Sequence, residues 1–399
     1  MRTENTESAE TKTDSVLSRL RKGASGTSIA SISTVRSYIQ PNVLQVMVTD
    51  SDGVVGVGET FYGASVVEAH IHDVMVPTLI SDKVSTNPFE VLAIASGYVG
   101  YAGSGAEVRA RSALDIALWD IAAKRERLPL AKFINPDSPL SVPVYNTCSG
   151  SNYVNAESRQ SSQNWGLSTG QPPPGSYEDL WSFLNRPGEL AQELVAEGYP
   201  GMKVWPFDLA AEEARGGPDI ALSFGLSVVE KIRDAVGDDI DLYIELHSLL
   251  GLEAAALLAR ELERFTPTWI EDPIRADRME DLRALRDITR VPLAVGENLG
   301  SGENGFPRII EQKLVDTVIV DVGWCGGITE ALPVQQQSAD SGLNVAFHDC
   351  TGPVSLAVAS ALSASAPNSV VQEVARAFWH DWYQDMASGV PDISQGSVH

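Results

Sequence analysis

Three glutamates recur at equal intervals in the second half of this 399-residue chain, each at the end of a short apolar run. Glu245 follows Asp241-Leu-Tyr-Ile, Glu271 follows Thr268-Trp-Ile, and Glu297 follows Pro292-Leu-Ala-Val-Gly296. Both intervals are 26 residues, close to the roughly 30 residues of one strand–helix–strand unit. One carboxylate therefore falls at the C-terminal end of each of three successive parallel strands, and such ends converge. Three carboxylates brought together repel unless a hard cation binds them. Mg²⁺ prefers oxygen ligands and keeps positions open for water and substrate. The spacing predicts a Mg²⁺ site on Glu245, Glu271 and Glu297.

Other polar residues end apolar runs in the same half: Lys203 and Trp205, His247, Asp321, His348 and Glu373. Only two of the six histidines fall in this set. A histidine taken alone is more often a surface or core residue than a functional one. Two at strand ends beside a metal cluster point to proton transfer. Asp321 and His348 end consecutive strands, and a carboxylate on one imidazole nitrogen fixes the tautomer and makes the other nitrogen a better base. Glu373, in its acid form, is placed to donate a hydrogen bond to a developing oxyanion. Tyr145 and Asn146, near the end of the run Val142–Thr147, are expected to contact substrate together with Trp205. An indole has no basic nitrogen and can only donate, so Trp205 closes its side of the site to base chemistry.

These ends need a scaffold. Strand-like runs begin at Val142, Gly201, Asp241, Trp269, Leu293, Val318, Asn344 and Val370, with helical stretches such as Leu226–Val236 and Glu253–Phe265 between most of them. Eight strands is the count of a closed β/α barrel, and the absence of repeated sequence between units argues against a solenoid. Ahead of the barrel, Leu44–Asp50 and Val54–Glu59 flank the turn signal Ser51-Asp-Gly53. A helical pattern follows to Lys124, in which Leu114, Leu118 and Ile121 share one face. Strands then helices predict a small α+β domain. The divisions are a loose tail over 1–30 with one short helix near Val16–Arg21, an α+β capping domain over 31–140, the barrel over 141–375, and a segment over 376–399 that returns to the cap. Ser149–Gly175, rich in Ser, Asn, Gln, Gly and Pro, has the length of a lid or binding loop.

The net charge of −24 and pI near 4.6 exclude nucleic acid and anionic membrane as partners. Three cysteines without metal-type spacing suggest a reducing compartment and no disulfide framework. No apolar run approaches 20 residues, which argues against a membrane span. The N-terminus lacks the apolar core of a signal peptide, so a cytoplasmic protein is expected.

Several of these motifs together resemble the mandelate racemase/muconate lactonizing enzyme-like branch of the enolase superfamily, from about Ser31 to Arg376. They are Gly-Val-Gly-Glu59, Ala113-Leu-Asp-Ile-Ala-Leu-Trp-Asp120, Ile270-Glu-Asp-Pro273, Gly296-Glu-Asn298, Asp321 with Gly326-Gly-Ile-Thr329, and His348. The resemblance implies a capping domain over a modified (β/α)7β barrel, one Mg²⁺ on three carboxylates, homo-oligomeric assembly, and abstraction of the proton beside a substrate carboxylate to give an ene-diolate. Three departures narrow it. Many relatives carry Lys-x-Lys on the second barrel strand, where this chain has Lys203-Val-Trp205, so the later base is absent. The third-strand pattern is often Asp-x-Asn, whereas this chain has Glu245-Leu-His247. A histidine there resembles the acid that protonates the departing hydroxyl in galactonate-type dehydratases. The chain also stops at His399, where relatives run on to complete the cap, so the cap is expected to be incomplete or differently closed. The expected function is a Mg²⁺-dependent acid-sugar dehydratase with His348 and Asp321 as base and orienter, His247 as acid, and Lys203 and Glu373 facing the ene-diolate. A racemase or epimerase using His247 on the second face is the alternative enzyme. A non-catalytic sugar-acid-binding barrel is the alternative from another class.

Overall fold

The computed structural model describes residues 16–18, 20–21, 26–95, 105–154, 177–300, 302 and 305–399. Two sheets organise it. The first is antiparallel, in the order β1 (Ile29–Arg36), β2 (Val43–Asp50), β3 (Val55–Phe61). The turn between β2 and β3 is the expected one: the Asp50 carboxylate accepts the amides of Asp52 and Val54, each at 2.9 Å, and Gly53 takes φ 86°.

The helix Ala106–Glu126 packs across this sheet at unusually short range. A Cβ on Gly58 would lie 1.8 Å from the Ala113 carbonyl oxygen, and one on Gly56 would lie 2.0 Å from that of Ala117. The Gly-Val-Gly run therefore serves backbone approach. The face predicted from Leu114, Leu118 and Ile121 is buried in the cap core, while Ile116 and Trp119 join the barrel core from the other side. Sandwiched between two domains, this helix is buried nearly all round, so its sequence shows little amphipathic contrast.

The second sheet is the closed parallel barrel: β4 (Val142–Thr147), β5 (Gly201–Val204), β6 (Asp241–Glu245), β7 (Trp269–Glu271), β8 (Leu293–Val295), β9 (Thr317–Val320), β10 (Asn344–Phe347) and β11 (Ser369–Val374). Each strand pairs with the next, and β11 returns to β4 through Glu373↔Tyr145. All eight predicted strands are present, with end shifts of a residue or so. Arg376 ties the closing seam, donating to both Asp179 oxygens at 2.9 and 2.6 Å and to Glu197 at 2.8 Å.

The cap meets the barrel through two carboxylates that reach the first turns of barrel helices. Glu59 Oε1 accepts from the amides of Val354 and Ser355 at 3.1 and 3.0 Å, at the start of Pro353–Ser365. Asp115 accepts from the Thr329 amide at 3.0 Å and its hydroxyl at 2.5 Å, at the start of Ile328–Asp340. These helices follow β10 and β9, so the cap is fastened directly behind His348 and Asp321.

Both ends of the described chain pack onto these two domains. Order in the first sheet begins at Ile29, and Val16 and Leu17, in the expected short helix, are buried in the main core, so that part of the tail is anchored. Residues 1–15 lie outside the described residues. The C-terminal segment joins the barrel by hydrogen bonding rather than the cap sheet: β12 (Ile393–Ser394) and β13 (Ser397–Val398) form a hairpin, and β13 pairs antiparallel with the start of β4. The open edge beside Val142 attracts it, because β4 begins before its parallel neighbours take up its hydrogen bonds. From residue 155 to 176 the expected lid lies outside the described residues. No helix among the described residues is long and apolar enough to cross a membrane.

Candidate active site

Side chains alternate along a strand, and this sorts the barrel interior into layers. The lower layer is Tyr145, Tyr243, Trp269, Ala294, Ile319, Ala346 and Val371, one contiguous buried cluster. Gly201 supplies the eighth position, where a Cβ would meet Tyr243 Cε2 at 2.6 Å and Tyr145 Cβ at 3.0 Å. Two residues further on stand Thr147, Lys203, Glu245, Glu271, Asp321, His348 and Glu373. Strand β8 departs by one residue: Gly296, at φ 141°, turns the chain so that Glu297 joins the layer. A Cβ on Gly296 would lie 2.4 Å from the Ile319 carbonyl oxygen, so glycine is required there.

The three glutamates meet as their spacing predicts. Each offers one oxygen, these lie within 4.8 Å of one another, and all three residues are buried. Lys203 Nζ donates to Glu271 Oε1 at 2.8 Å and lies 3.2 Å from Glu245 Oε2 and 2.8 Å from Glu373 Oε1. The latter two oxygens have no hydrogen bond of proper geometry. Burial opposes ionisation of Glu245, but Lys203 and His247 outweigh it and hold its carboxyl down to about 2. Burial pushes Glu271 well up, against the pull of Lys203, and Glu245, Glu373 and Glu297 add repulsion. One lysine is therefore not enough countercharge for this cluster. A buried all-oxygen donor set with an orphaned Glu245 oxygen and excess negative charge fits a hard divalent cation.

His348 Nδ1 donates to Asp321 Oδ2 at 2.6 Å, as expected, and Nε2 faces Glu297 Oε2 at 3.3 Å. Burial disfavours the imidazolium, but Glu297, Glu373 and the Asp321 bond outweigh it and hold its pKa well above the usual histidine range. Asp321 is itself fixed by the Gly323 amide at 2.7 Å. Glu373 Oε2 accepts from the Asp349 amide at 3.1 Å.

His247 stands on the end of β6, four strands round the barrel from β10, and so faces His348 across the mouth. Its backbone is left-handed, φ 45°, as is that of Ser248, φ 60°. The conformation persists because the His247 amide donates to Glu245 Oε1 at 2.8 Å and the Ser248 amide to the Asp272 carbonyl at 2.7 Å. Burial lowers the His247 pKa, but Asp208 and Glu245 more than reverse this and raise it to about 9. Trp205 lines the cleft, as expected, packed between Phe183, Tyr153 and His247, and its indole N–H has no partner among the described residues.

Two expected substrate contacts are corrected. Tyr145 lies one layer below, its ring against Tyr243 and Trp269 and beneath the Lys203 ammonium. Asn146 points the opposite way, into the barrel wall, where it donates to Asp179 at 2.8 Å and accepts from the Arg376 amide at 2.9 Å. Alternation makes Thr147 the β4 residue that lines the cleft. The remaining lining residues outside the expected set are Tyr62, Tyr153, Trp324 and Cys350. Tyr62 reaches the cleft from the residue after β3. The connection between β1 and β2 acts indirectly: Tyr38 is 92% exposed, whereas Asn42 and Gln40 donate to the carbonyls of Val154 and Tyr153 at 2.6 and 3.5 Å. Trp324 and Cys350 follow Asp321 and His348 by three and two residues, but nothing in their types announces a pocket.

Residues 187–399 match the family model described as enolase C-terminal domain-like, and 24–135 match that of the mandelate racemase/muconate lactonizing enzyme N-terminal domain. Among curated proteins, a D-gluconate dehydratase of Thermoproteus tenax is 29% identical over 294 residues, 72% of this chain and 52% of that protein. A D-gluconate/D-galactonate dehydratase of Picrophilus torridus is 30% identical over 280 residues, 70% of this chain and 63% of that protein. The chain thus spans between half and two thirds of the length of these relatives. Among solved structures, an enolase protein from environmental sequencing of the Sargasso Sea superposes with TM-score 0.80 at 35% identity, covering 93% of this chain and 91% of that one.

Proposed function

Because the chain belongs to the mandelate racemase/muconate lactonizing enzyme family, with an enolase-like C-terminal barrel, we propose that it is a Mg²⁺-dependent acid-sugar dehydratase that converts an aldonate-type acid into a 2-keto-3-deoxy acid. The observation that carries this reading is the opposition of His247 and His348 across a cleft floored by three glutamates and one lysine. Dehydratase relatives of modest identity support it.

Glu245, Glu271 and Glu297 would hold the cation, which when bound polarises the substrate carboxylate as a Lewis acid. With Glu297 engaged by the cation rather than by His348, the neutral imidazole takes the proton from carbon 2 on Nε2, because Asp321 occupies Nδ1 and fixes the tautomer. The electron pair moves onto the carboxylate. Lys203, already placed at the base of the cleft and held there by Glu373 at 2.8 Å, stabilises that charge. His247 delivers its proton to the carbon-3 hydroxyl as the C–O bond breaks. The resulting enol tautomerises to the ketone. Epimerisation at carbon 2 would use the same opposed histidines, with His247 returning the proton to carbon instead of oxygen, and is distinguished by retention of the hydroxyl.

A screen of acid sugars with Mg²⁺, reading 2-keto-3-deoxy products and carbon-2 exchange in deuterium oxide, tests the proposal. His348→Asn is expected to lose both dehydration and exchange, and His247→Asn to lose dehydration. Unimpaired dehydration in either variant removes that histidine from the mechanism, and inversion without loss of water replaces dehydratase by epimerase.

A further inference from the structure

Asp208 is an acid with one hydrogen-bonding role. It begins the short helix Asp208–Glu213 after β5, is 1% exposed, and its Oδ2 accepts from His247 Nδ1 at 2.8 Å. Its other oxygen has no partner among the described residues, and it does not cap the helix it begins. Burying a carboxylate for a single partner is costly, so stability does not account for it.

The arrangement also repeats one found elsewhere in the same barrel. Asp321 follows the end of β9 and His348 follows the end of the next strand, β10, with 2.6 Å between Oδ2 and Nδ1. Asp208 follows the end of β5 and His247 follows the end of the next strand, β6. The second aspartate–histidine pair thus lies four strands from the first. Beside Asp208 and His247 the Trp205 ring stands edge-on to the imidazole at 5.7 Å.

We propose that Asp208 is a positioning residue that commits His247 Nδ1 and so assigns proton delivery to His247 Nε2, making the site a pair of opposed aspartate–histidine dyads. The inference rests on the acid role given to His247 above. Asp208 acts through the imidazole and not on substrate, so its loss should fall on the step that breaks the C–O bond and spare abstraction at carbon 2.

The test compares wild type, Asp208→Ala and Asp208→Asn, each with Mg²⁺. Side-chain ¹⁵N–¹H spectra of the histidines, assigned with His247→Asn, should show a protonated, slowly exchanging Nδ1 on His247 that disappears in Asp208→Ala. With the acid sugar found by the screen, Asp208→Ala should lower kcat for dehydration at least about 100-fold, the lower end of what a positioned acid contributes. KM should stay within about threefold, and carbon-2 exchange should persist wherever wild type shows it. Asp208→Asn keeps an acceptor of the same size and should recover at least about tenfold over Asp208→Ala, since a neutral acceptor retains part of the bond. An Nδ1 signal that survives in Asp208→Ala, a kcat within about threefold of wild type, or loss of exchange along with dehydration would overturn the proposal. If wild type dehydrates no acid sugar, the reading of function fails instead, and the ¹⁵N signal alone decides the pairing.

Discussion

Glu59 offers a quantitative test of how the cap is held to the barrel. Its carboxylate crosses from β3 to the first turn of Pro353–Ser365, where it takes two backbone amides, and its second oxygen accepts from Gln45 Nε2 at 3.2 Å. Gly352 makes the approach possible, since a Cβ there would lie 2.3 Å from a Glu59 oxygen. Glu59→Ala strips the acceptor from both amides. An unsatisfied buried donor costs about 1–3 kcal/mol, and loss of a cap about 1 kcal/mol, so the variant should be about 2–4 kcal/mol less stable. Glu59→Gln keeps an acceptor and removes the charge. Burial raises the Glu59 carboxyl from 4.5 to about 7, against the hydrogen bonds from Ser355, Gln45 and Val354. The folded protein therefore binds this proton more tightly than the unfolded chain does. The associated stability is fully present below pH 4.5 and is lost as pH rises through about 7, a change of about 3 kcal/mol. Wild type should lose that increment relative to Glu59→Gln between pH 4.5 and 8. Guanidinium unfolding of both proteins at several pH values in this window measures it as a difference, in which other titrating groups such as Asp115 largely cancel. Parallel pH profiles for wild type and Glu59→Gln, or a Glu59→Ala variant as stable as wild type, would refute the reasoning.

Glu271→Gln should weaken Mg²⁺ binding at least about 100-fold by calorimetry, because one charged ligand of three is lost, and chelator should abolish wild-type activity. Trp205→Phe preserves the packing against Phe183 and Tyr153 but deletes the unpartnered indole N–H. One lost hydrogen bond of about 1 kcal/mol predicts a KM for the acid sugar raised about fivefold with kcat unchanged, and an unaltered KM would show that the N–H touches no substrate. Arg376→Met leaves Asp179 buried without its cation, and denaturant titration should show about 3–5 kcal/mol of lost stability.

The barrel and its glutamate cluster were legible because both depend on periodicity. A parallel β/α unit has a nearly fixed length, so equal intervals between glutamates translate into adjacent strand ends. Alternation carried the same information for Thr147, two residues beyond Tyr145, and makes Asn146 an outward-facing residue. By that parity Asn146 cannot contact substrate, whereas Tyr145 faces inward but lies one layer too low in the barrel. Asp208 carries no such signal: it sits past the strand, where the chain leaves the periodic frame, and an aspartate opening a helix is common. Tyr62, Tyr153 and Trp324 reach the cleft from connections whose course depends on how cap and barrel meet. The C-terminal hairpin leaves no signal in the sequence for a related reason. Edge pairing at Val142 depends on which backbone groups the finished barrel leaves open, a property absent from the hairpin's own residues.

The aromatic layer of Tyr145, Tyr243 and Trp269 has a consequence for traffic through the barrel. Packed below Lys203, with Gly201 making room for the rings, it stoppers the bore of the barrel. In the proposed reaction, the sugar acid enters, and the keto acid and the released water depart, on the cap side. A proton taken by His348 has the same exit as the products. Its exchange with bulk solvent should therefore be slow while substrate remains bound, and label lost from carbon 2 should return to the same molecule more often than it escapes.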